Sequence, residues 1–134
     1  MNKTFNFEVV TPTGIFYQDE VNFISFAALD GEMGIMANHA PVLVANKPCT
    51  LEIKKDNDVK YAFISEGFIE ITDKKVSAVT DLADWSNDIN AEEAIKAKRI
   101  AEEELDSKKL DQGRQTELKA SIERASARIR TSKK

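Results

Sequence analysis

The stretch Asp81-Leu82-Ala83-Asp84-Trp85-Ser86-Asn87-Asp88-Ile89-Asn90-Ala91-Glu92-Glu93-Ala94 divides the chain into two parts of unlike composition. Up to Trp85 lie all seven Phe, both Tyr, the single Trp, all three Pro and four of the five Gly. Beyond Trp85 there is no aromatic residue and no Pro, and Gly113 is the one glycine. Aromatic and β-branched residues punctuated by Gly and Pro read as strands and turns. A run of Ala, Glu, Lys and Arg reads as helix. The expected fold class is α+β as two domains. Residues 1–85 form an N-terminal antiparallel β-sandwich or flattened barrel, and residues 86–134 a C-terminal antiparallel two-helix hairpin.

Before the break the side chains alternate. In Thr4-Phe5-Asn6-Phe7-Glu8-Val9 the apolar residues Phe5, Phe7 and Val9 share one face, and Thr4, Asn6 and Glu8 the other. Thr11-Pro12-Thr13-Gly14 and Asp56-Asn57-Asp58 read as turns. Strands are expected at 15–18, 21–28, 42–45, 50–54 (Leu51 and Ile53 inward), 59–65 (Val59, Tyr61 and Phe63 on one side), 68–71 and 75–80. The stretch 29–36 holds two glycines and no steady period. Turns every eight to twelve residues suit a sandwich or flattened barrel.

After the break the apolar spacing is helical. Asn90 is the expected N-cap, with Glu93 three residues on as in a capping box. Glu92 and Glu93 suit the positive end of the helix dipole. Ala94, Ala97, Ala101 and Leu105 form one stripe, and Leu118, Ile122, Ala125 and Ile129 a second. The polar stretch 106–111 holds the turn between them. An Ala-rich seam buries little area, so it stabilises weakly and suits a hairpin that detaches or changes shape.

At 134 residues, with 42% hydrophobic and 31% charged content, the chain has the composition of an ordinary globular protein. No stretch approaches the ~20 apolar residues of a spanning helix. The start lacks the apolar core of a secretory signal, and one Cys makes no internal disulfide, which points to the cytoplasm. One His and one Cys exclude a conventional His/Cys zinc site. The net charge of −4 hides a split: residues 1–85 hold 7 Lys, no Arg and 13 Asp/Glu, whereas 86–134 hold 7 Lys, 5 Arg and 10 Asp/Glu. Every arginine lies in the helical part.

Motifs for chemistry are scarce. There is no phosphate-binding loop, dinucleotide fingerprint or nucleophile elbow. His39 and Cys49 are the sole candidates for a Cys–His dyad; otherwise His39 opens the His39-Ala40-Pro41 turn and Cys49 is a small apolar residue. Asp30 and Glu32 are either paired carboxylates or a solvated acidic loop. Arg124, Arg128 and Arg130 give the last helix a basic end that Arg114 extends, either a solvated face or a docking surface for acidic or phosphate groups. Without aromatics for stacking, nucleic acid is not an expected partner.

The order of segments resembles that of the epsilon subunits of F-type (rotary) ATP synthases, bacterial type, over nearly the whole chain. The matching features are Val10-Thr11-Pro12-Thr13-Gly14, then Gly31-Glu32-Met33-Gly34-Ile35 leading to His39-Ala40-Pro41. Gly67-Phe68-Ile69-Glu70, Asp81-Leu82-Ala83-Asp84 and an Ala/Glu/Lys/Arg hairpin follow. The resemblance implies a non-catalytic central-stalk subunit without cofactor or metal. It implies peripheral association with the cytoplasmic face of the cell membrane, without direct insertion. The implied partners are the gamma subunit, the c-ring of the membrane sector and the catalytic beta and alpha subunits. It puts Asp30, Glu32, Met33 and His39 at the c-ring and gamma contacts. It makes the hairpin an inhibitor of ATP hydrolysis, with Arg114, Arg124, Arg128 and Arg130 docking to the catalytic subunits.

Some relatives bind ATP on the hairpin through an Ile/Leu-Asp-x-x-Arg-Ala motif and two arginines on the second helix. Here Ile89, Ala94, Arg124 and Arg128 match, but Asn90 and Glu93 stand at the Asp and Arg positions, so no nucleotide binding is expected. Glu66 stands before Gly67 where the family often has a second glycine. The alternatives are a free-standing cytoplasmic adaptor with a sandwich and a hairpin, and a small hydrolase or isomerase using His39 with Asp30 or Glu32.

Overall fold

A computed structural model of the protein describes residues 3–107 and 109–134. Ten strands are formed: β1 (Phe5–Thr11), β2 (Gly14–Val21), β3 (Phe23–Ala28), β4 (Gly31–Met36), β5 (Val42–Asn46), β6 (Cys49–Lys55), β7 (Asp58–Ile64), β8 (Gly67–Ile71), β9 (Val76–Thr80) and β10 (Ala83–Trp85). A 3-10 turn (Ser86–Asp88) leads to α1 (Ala91–Ser107) and α2 (Gln112–Ser132).

The strands hydrogen-bond in the order β10-β7-β6-β3-β5-β8-β9-β1-β2, with β4 paired to β3. Every pair is antiparallel except β1 with β9. The direction of β9 is set by its tight turn from β8 and that of β1 by its turn into β2, so these two partners, distant in sequence, run parallel. The sheet curls until its two ends meet. There Phe16 and Tyr17 of β2 lie against Trp85 of β10, with ring centroids 4.6 and 5.5 Å apart. Lys55 of β6 also reaches Asp19 of β2 at 2.7 Å. This is the expected sandwich or flattened barrel, closed by aromatic contact.

The core follows the alternation. Phe7 and Val9 of β1, Ile24 and Phe26 of β3, Leu51 and Ile53 of β6, Ile69 and Ile71 of β8 and Ala78 of β9 are buried in one cluster. Each large side chain so buried stabilises by about 1.5–3 kcal/mol. Gly67 is required by close approach: a Cβ there would stand 2.0 Å from the Val79 carbonyl oxygen.

Two expectations are corrected, at 31–36 and at Ala97, and the environments of Glu8 and of β7 add to what alternation gives. Residues 31–36, read as aperiodic, form β4, because the Phe23 ring of β3 lies over Gly34 where a Cβ would meet it at 2.8 Å. Glu8 is buried although it lies on the outer face: Ser77 donates to it at 2.7 Å and Lys75 pairs with it at 3.1 Å. On β7 the inward residue is Ile64, whereas Val59 and Tyr61 face outward and Phe63 is buried in a separate small cluster with Ile89 and Ala127. Ala97 is exposed, and the α1 stripe is carried by Ala94, Ala101 and the half-buried Leu105. The strands β2 and β10 also extend beyond what alternation shows, since pairing with β1 and β7 supplies what local pattern lacks.

The helices begin where their caps dictate. Asn90 Oδ1 accepts from the Glu93 N–H at 3.1 Å, and Asp111 Oδ1 from the Arg114 N–H at 2.8 Å. Of the expected turn, α1 takes residues up to Ser107, Asp111 is a cap, and Lys108 lies outside the described residues. Arg114 at the start of α2 grips Glu104 near the end of α1 at 2.7 and 2.8 Å, so the helices are antiparallel. Leu118 and Ala125 are buried and Ile122 and Ile129 half-buried. The hairpin is folded onto the outer face of β6 and β7 through α2.

Candidate interaction surfaces

Three surfaces carry the residues singled out by sequence, and a fourth does not. The first is the β3–β4 end. Asp30 is exposed at the turn, and Glu32 is exposed on β4. Met33 turns toward the core and is half-buried against it. The residue that β4 leaves bare is instead Met36, at 65% exposure. His39 lies in the following loop, its Nδ1 2.9 Å from the Ala40 carbonyl oxygen. It lines a cleft with Met36 and the β8–β9 turn, away from Cys49. Cys49 is buried, and its sulfur accepts from the Ala27 N–H. Burial pushes its thiol up to about 11. A protonated thiol apart from the one imidazole is not a nucleophile, so the dyad is not formed. Among the described residues no group of His, Cys, Asp and Glu has the arrangement to hold a metal ion.

The second surface is the α2–sandwich interface. Arg124 donates to Glu66 at 2.7 Å, with side-chain exposures of 37% and 47%. Arg128 pairs with Asp84, at 26% and 32%, and its guanidinium lies 5.4 Å from the Phe63 ring centroid. Thr131 and Thr50 share a hydroxyl hydrogen bond at 2.6 Å. Arg114 is engaged within the hairpin, and Glu104 holds its guanidinium firmly protonated. Arg130 stands outside these pairs and has no carboxylate partner among the described residues; it lines a cleft with Glu32, Lys133 and Lys134. Three of the four arginines are therefore satisfied internally when the hairpin is folded.

The third surface is the groove between the two helices and the sandwich, where Ala94, Arg124 and Arg128 of the partial nucleotide match come together. Asp84 and Glu93 line the same groove. Both arginines already meet a carboxylate, and Glu93 adds a further negative charge.

The fourth surface was not singled out by sequence. Strand register aligns Ala45, Phe68, Val79, Val10 and Ile15 across β5, β8, β9, β1 and β2 in one row on the outer face. Phe68 is 42% and Ile15 59% exposed. Beside it Leu43, Glu70, Ser77, Glu8 and Gln18 form a second row. The Ser77 hydroxyl, aided by Lys75, lowers the Glu8 carboxyl below the usual carboxylate range. The signal in the sequence is the doublets Val9-Val10, Phe68-Ile69 and Ala78-Val79, which place an apolar side chain on both faces of their strands. The first row is exposed at Ala45, Phe68 and Ile15 and half-buried at Val79 and Val10, whereas the outer face of β6 and β7 is covered by α2.

The model of the family described as ATP synthase, Delta/Epsilon chain, beta-sandwich domain matches residues 4–86. The ATP synthase epsilon chain of Caldanaerobacter subterraneus subsp. tengcongensis is 37% identical over 135 residues, covering 100% of this chain and 97% of that one. The ATP synthase epsilon chain of Alkaliphilus oremlandii is 37% identical over 105 residues, 78% of each chain. In fold, the chain is similar to one in the Euglena gracilis mitochondrial ATP synthase OSCP/F1/c-ring structure. The TM-score is 0.81 at 22% identity, with 92% of this chain and 78% of that one covered.

Proposed function

Because the chain belongs to the ATP synthase delta/epsilon family, as an epsilon chain, we propose that it couples c-ring rotation to the catalytic head through the gamma subunit and restrains ATP hydrolysis with its hairpin. It is an accessory subunit of the central stalk and is not itself catalytic. Among the described residues no helix is long and apolar enough to cross a membrane. Its place is the cytoplasmic face, held there by its partners.

The observation that carries this reading is the asymmetry of the two outer faces. One is covered by α2; the other presents the row from Ala45 to Ile15 bare. The bare face is the gamma contact, and Asp30, Glu32 and His39 at the β3–β4 end are the ring and gamma contacts. Met36 takes the role expected of Met33. The covered face stores the hairpin. Its release frees Arg124 and Arg128 for acidic segments of the catalytic subunits, joined by Arg130 and, at the other end of α2, Arg114.

The test is a hairpin that cannot leave. Thr50→Cys with Thr131→Cys replaces hydroxyls 2.6 Å apart, a spacing that suits a disulfide. Cys49 beside it, with its thiol near 11, does not compete at neutral pH. With the catalytic head and gamma, the oxidised form binds but does not slow hydrolysis, and reduction restores the slowing. Equal slowing by the oxidised and reduced forms refutes the hairpin's part. Phe68→Asp lowers gamma affinity at least tenfold, and unchanged affinity removes the bare face from the interface.

A further inference from the structure

The hairpin is held on the sandwich by little apolar surface. Its fully buried apolar cluster has three members, Phe63 of β7, Ile89 before α1 and Ala127 of α2. Polar contacts add to it: the Thr50–Thr131 hydrogen bond, Lys134 Nζ 5.6 Å from the Tyr61 ring centroid, and two ion pairs. Each half-exposed arginine of α2 that faces the sandwich meets one sandwich carboxylate: Arg124 meets Glu66 and Arg128 meets Asp84. Arg124 and Arg128 lie four residues, about one turn, apart on α2. No other ion pair joins α2 to the strands among the described residues. Glu93 of α1 faces the same groove and adds to its negative charge. Attraction between partly solvated charges falls as salt shortens the screening length, from about 10 Å at 0.1 M to about 3 Å at 1 M. Apolar burial and the Thr50–Thr131 hydrogen bond carry no such dependence.

We infer that Glu66 and Asp84 form a charge latch which makes release of the hairpin a function of ionic strength. The latch needs no bound ligand: the sandwich supplies the anions that α2 requires to stay folded. Asp84 is the stronger element because its pair is the less exposed, and because Arg128 is also held over Phe63. The inference rests on the proposed reading that the hairpin leaves the sandwich. It does not rest on that release slowing hydrolysis.

The test is amide hydrogen exchange of the full chain, read at the α2 residues Ala125, Ala127 and Thr131 and compared with β6 and β7. Between 0.1 and 1 M NaCl the open fraction of α2 rises about fivefold, while the strands keep their protection. At 0.1 M, Asp84→Asn raises it about tenfold and Glu66→Gln about threefold, following the relative burial of the pairs. The decisive arm is the double variant Glu66→Gln with Asp84→Asn. It folds with α2 still packed on Phe63, and its exchange no longer responds to salt. Exchange that is independent of salt in the unmodified chain overturns the latch, as does an equal salt response in the double variant. Salt-dependent exchange without slowed hydrolysis keeps the latch and removes the brake. Slowed hydrolysis with salt-independent exchange does the reverse.

Discussion

Phe63 and Ile64 are adjacent in β7, both fully buried, and enclosed by different things. Ile64 belongs to the sandwich core. Phe63 points outward and is enclosed by Ile89, Ala127 and the Arg128 guanidinium. Truncating each to alanine therefore acts on a different equilibrium. Ile64→Ala opens a cavity inside the sandwich and lowers its unfolding free energy by about 2–5 kcal/mol. Phe63→Ala removes a ring that is solvent-exposed whenever the hairpin is away, so the loss falls on docking. At about 2–3 kcal/mol for a buried aromatic ring, the ratio of released to docked hairpin rises about 30- to 160-fold. Hydrogen exchange of α2 and thermal unfolding followed at Trp85 separate the two effects. Phe63→Ala deprotects α2 more than the strands, which lose at most the docking free energy, whereas Ile64→Ala deprotects the strands without selectively releasing α2. If Phe63→Ala deprotects α2 no more than the strands, the outer-face assignment and the docking argument built on it are wrong.

Other perturbations address single features. Gly67→Ala forces a Cβ to 2.0 Å from the backbone of β9, and the strands must part; a fall in thermal stability of several degrees or failure to fold is expected by calorimetry, and an unchanged midpoint refutes the close approach. Glu8 has its carboxyl held below its unfolded value, so its contribution is present above the unfolded pKa and is lost as pH falls through the folded one. Glu8→Gln accordingly flattens the acid limb of stability against pH below about 4.5. Titration with ATP by calorimetry detects no site at millimolar concentration, because Asp84 and Glu66 occupy the arginines and Glu93 repels phosphate; millimolar or tighter binding contradicts that account.

Local pattern made much of this molecule legible. The loss of aromatics and prolines after Trp85 marks where β10 ends and the helical part begins. Asn90 and the two α2 stripe residues Leu118 and Ala125 stand where helical spacing puts them. The failures share one cause, which is that alternation reports that a side chain is covered and not by what. Phe63 shares its face with Val59 and Tyr61 as the alternation says, yet it alone of the three is buried, because residues 89 and 127 cover it. Glu8 alternates onto the outer face, yet β9 brings Ser77 over it. Gly31 and Gly34 hide β4, a strand defined by pairing with β3 and by the space Gly34 leaves for Phe23.

The candidate surfaces divide in the same way. The acidic and histidine residues at 30, 32 and 39 and the four arginines are visible as residue types in the sequence, since charge on an isolated loop or helix end needs no tertiary context to be noticed. Their partners are not visible. That Arg124 meets Glu66, 58 residues earlier, and Arg128 meets Asp84, 44 residues earlier, follows only from α2 lying on β6 and β7. The apolar row of Ala45, Phe68, Val79, Val10 and Ile15 exists only because five strand registers align. What the chain determines by itself is which segments are strand and which are helix, because those preferences are local and periodic. Which face of the sandwich is covered and which is left bare was decided by packing. Contacts between residues far apart in sequence set it, and no local preference encodes them.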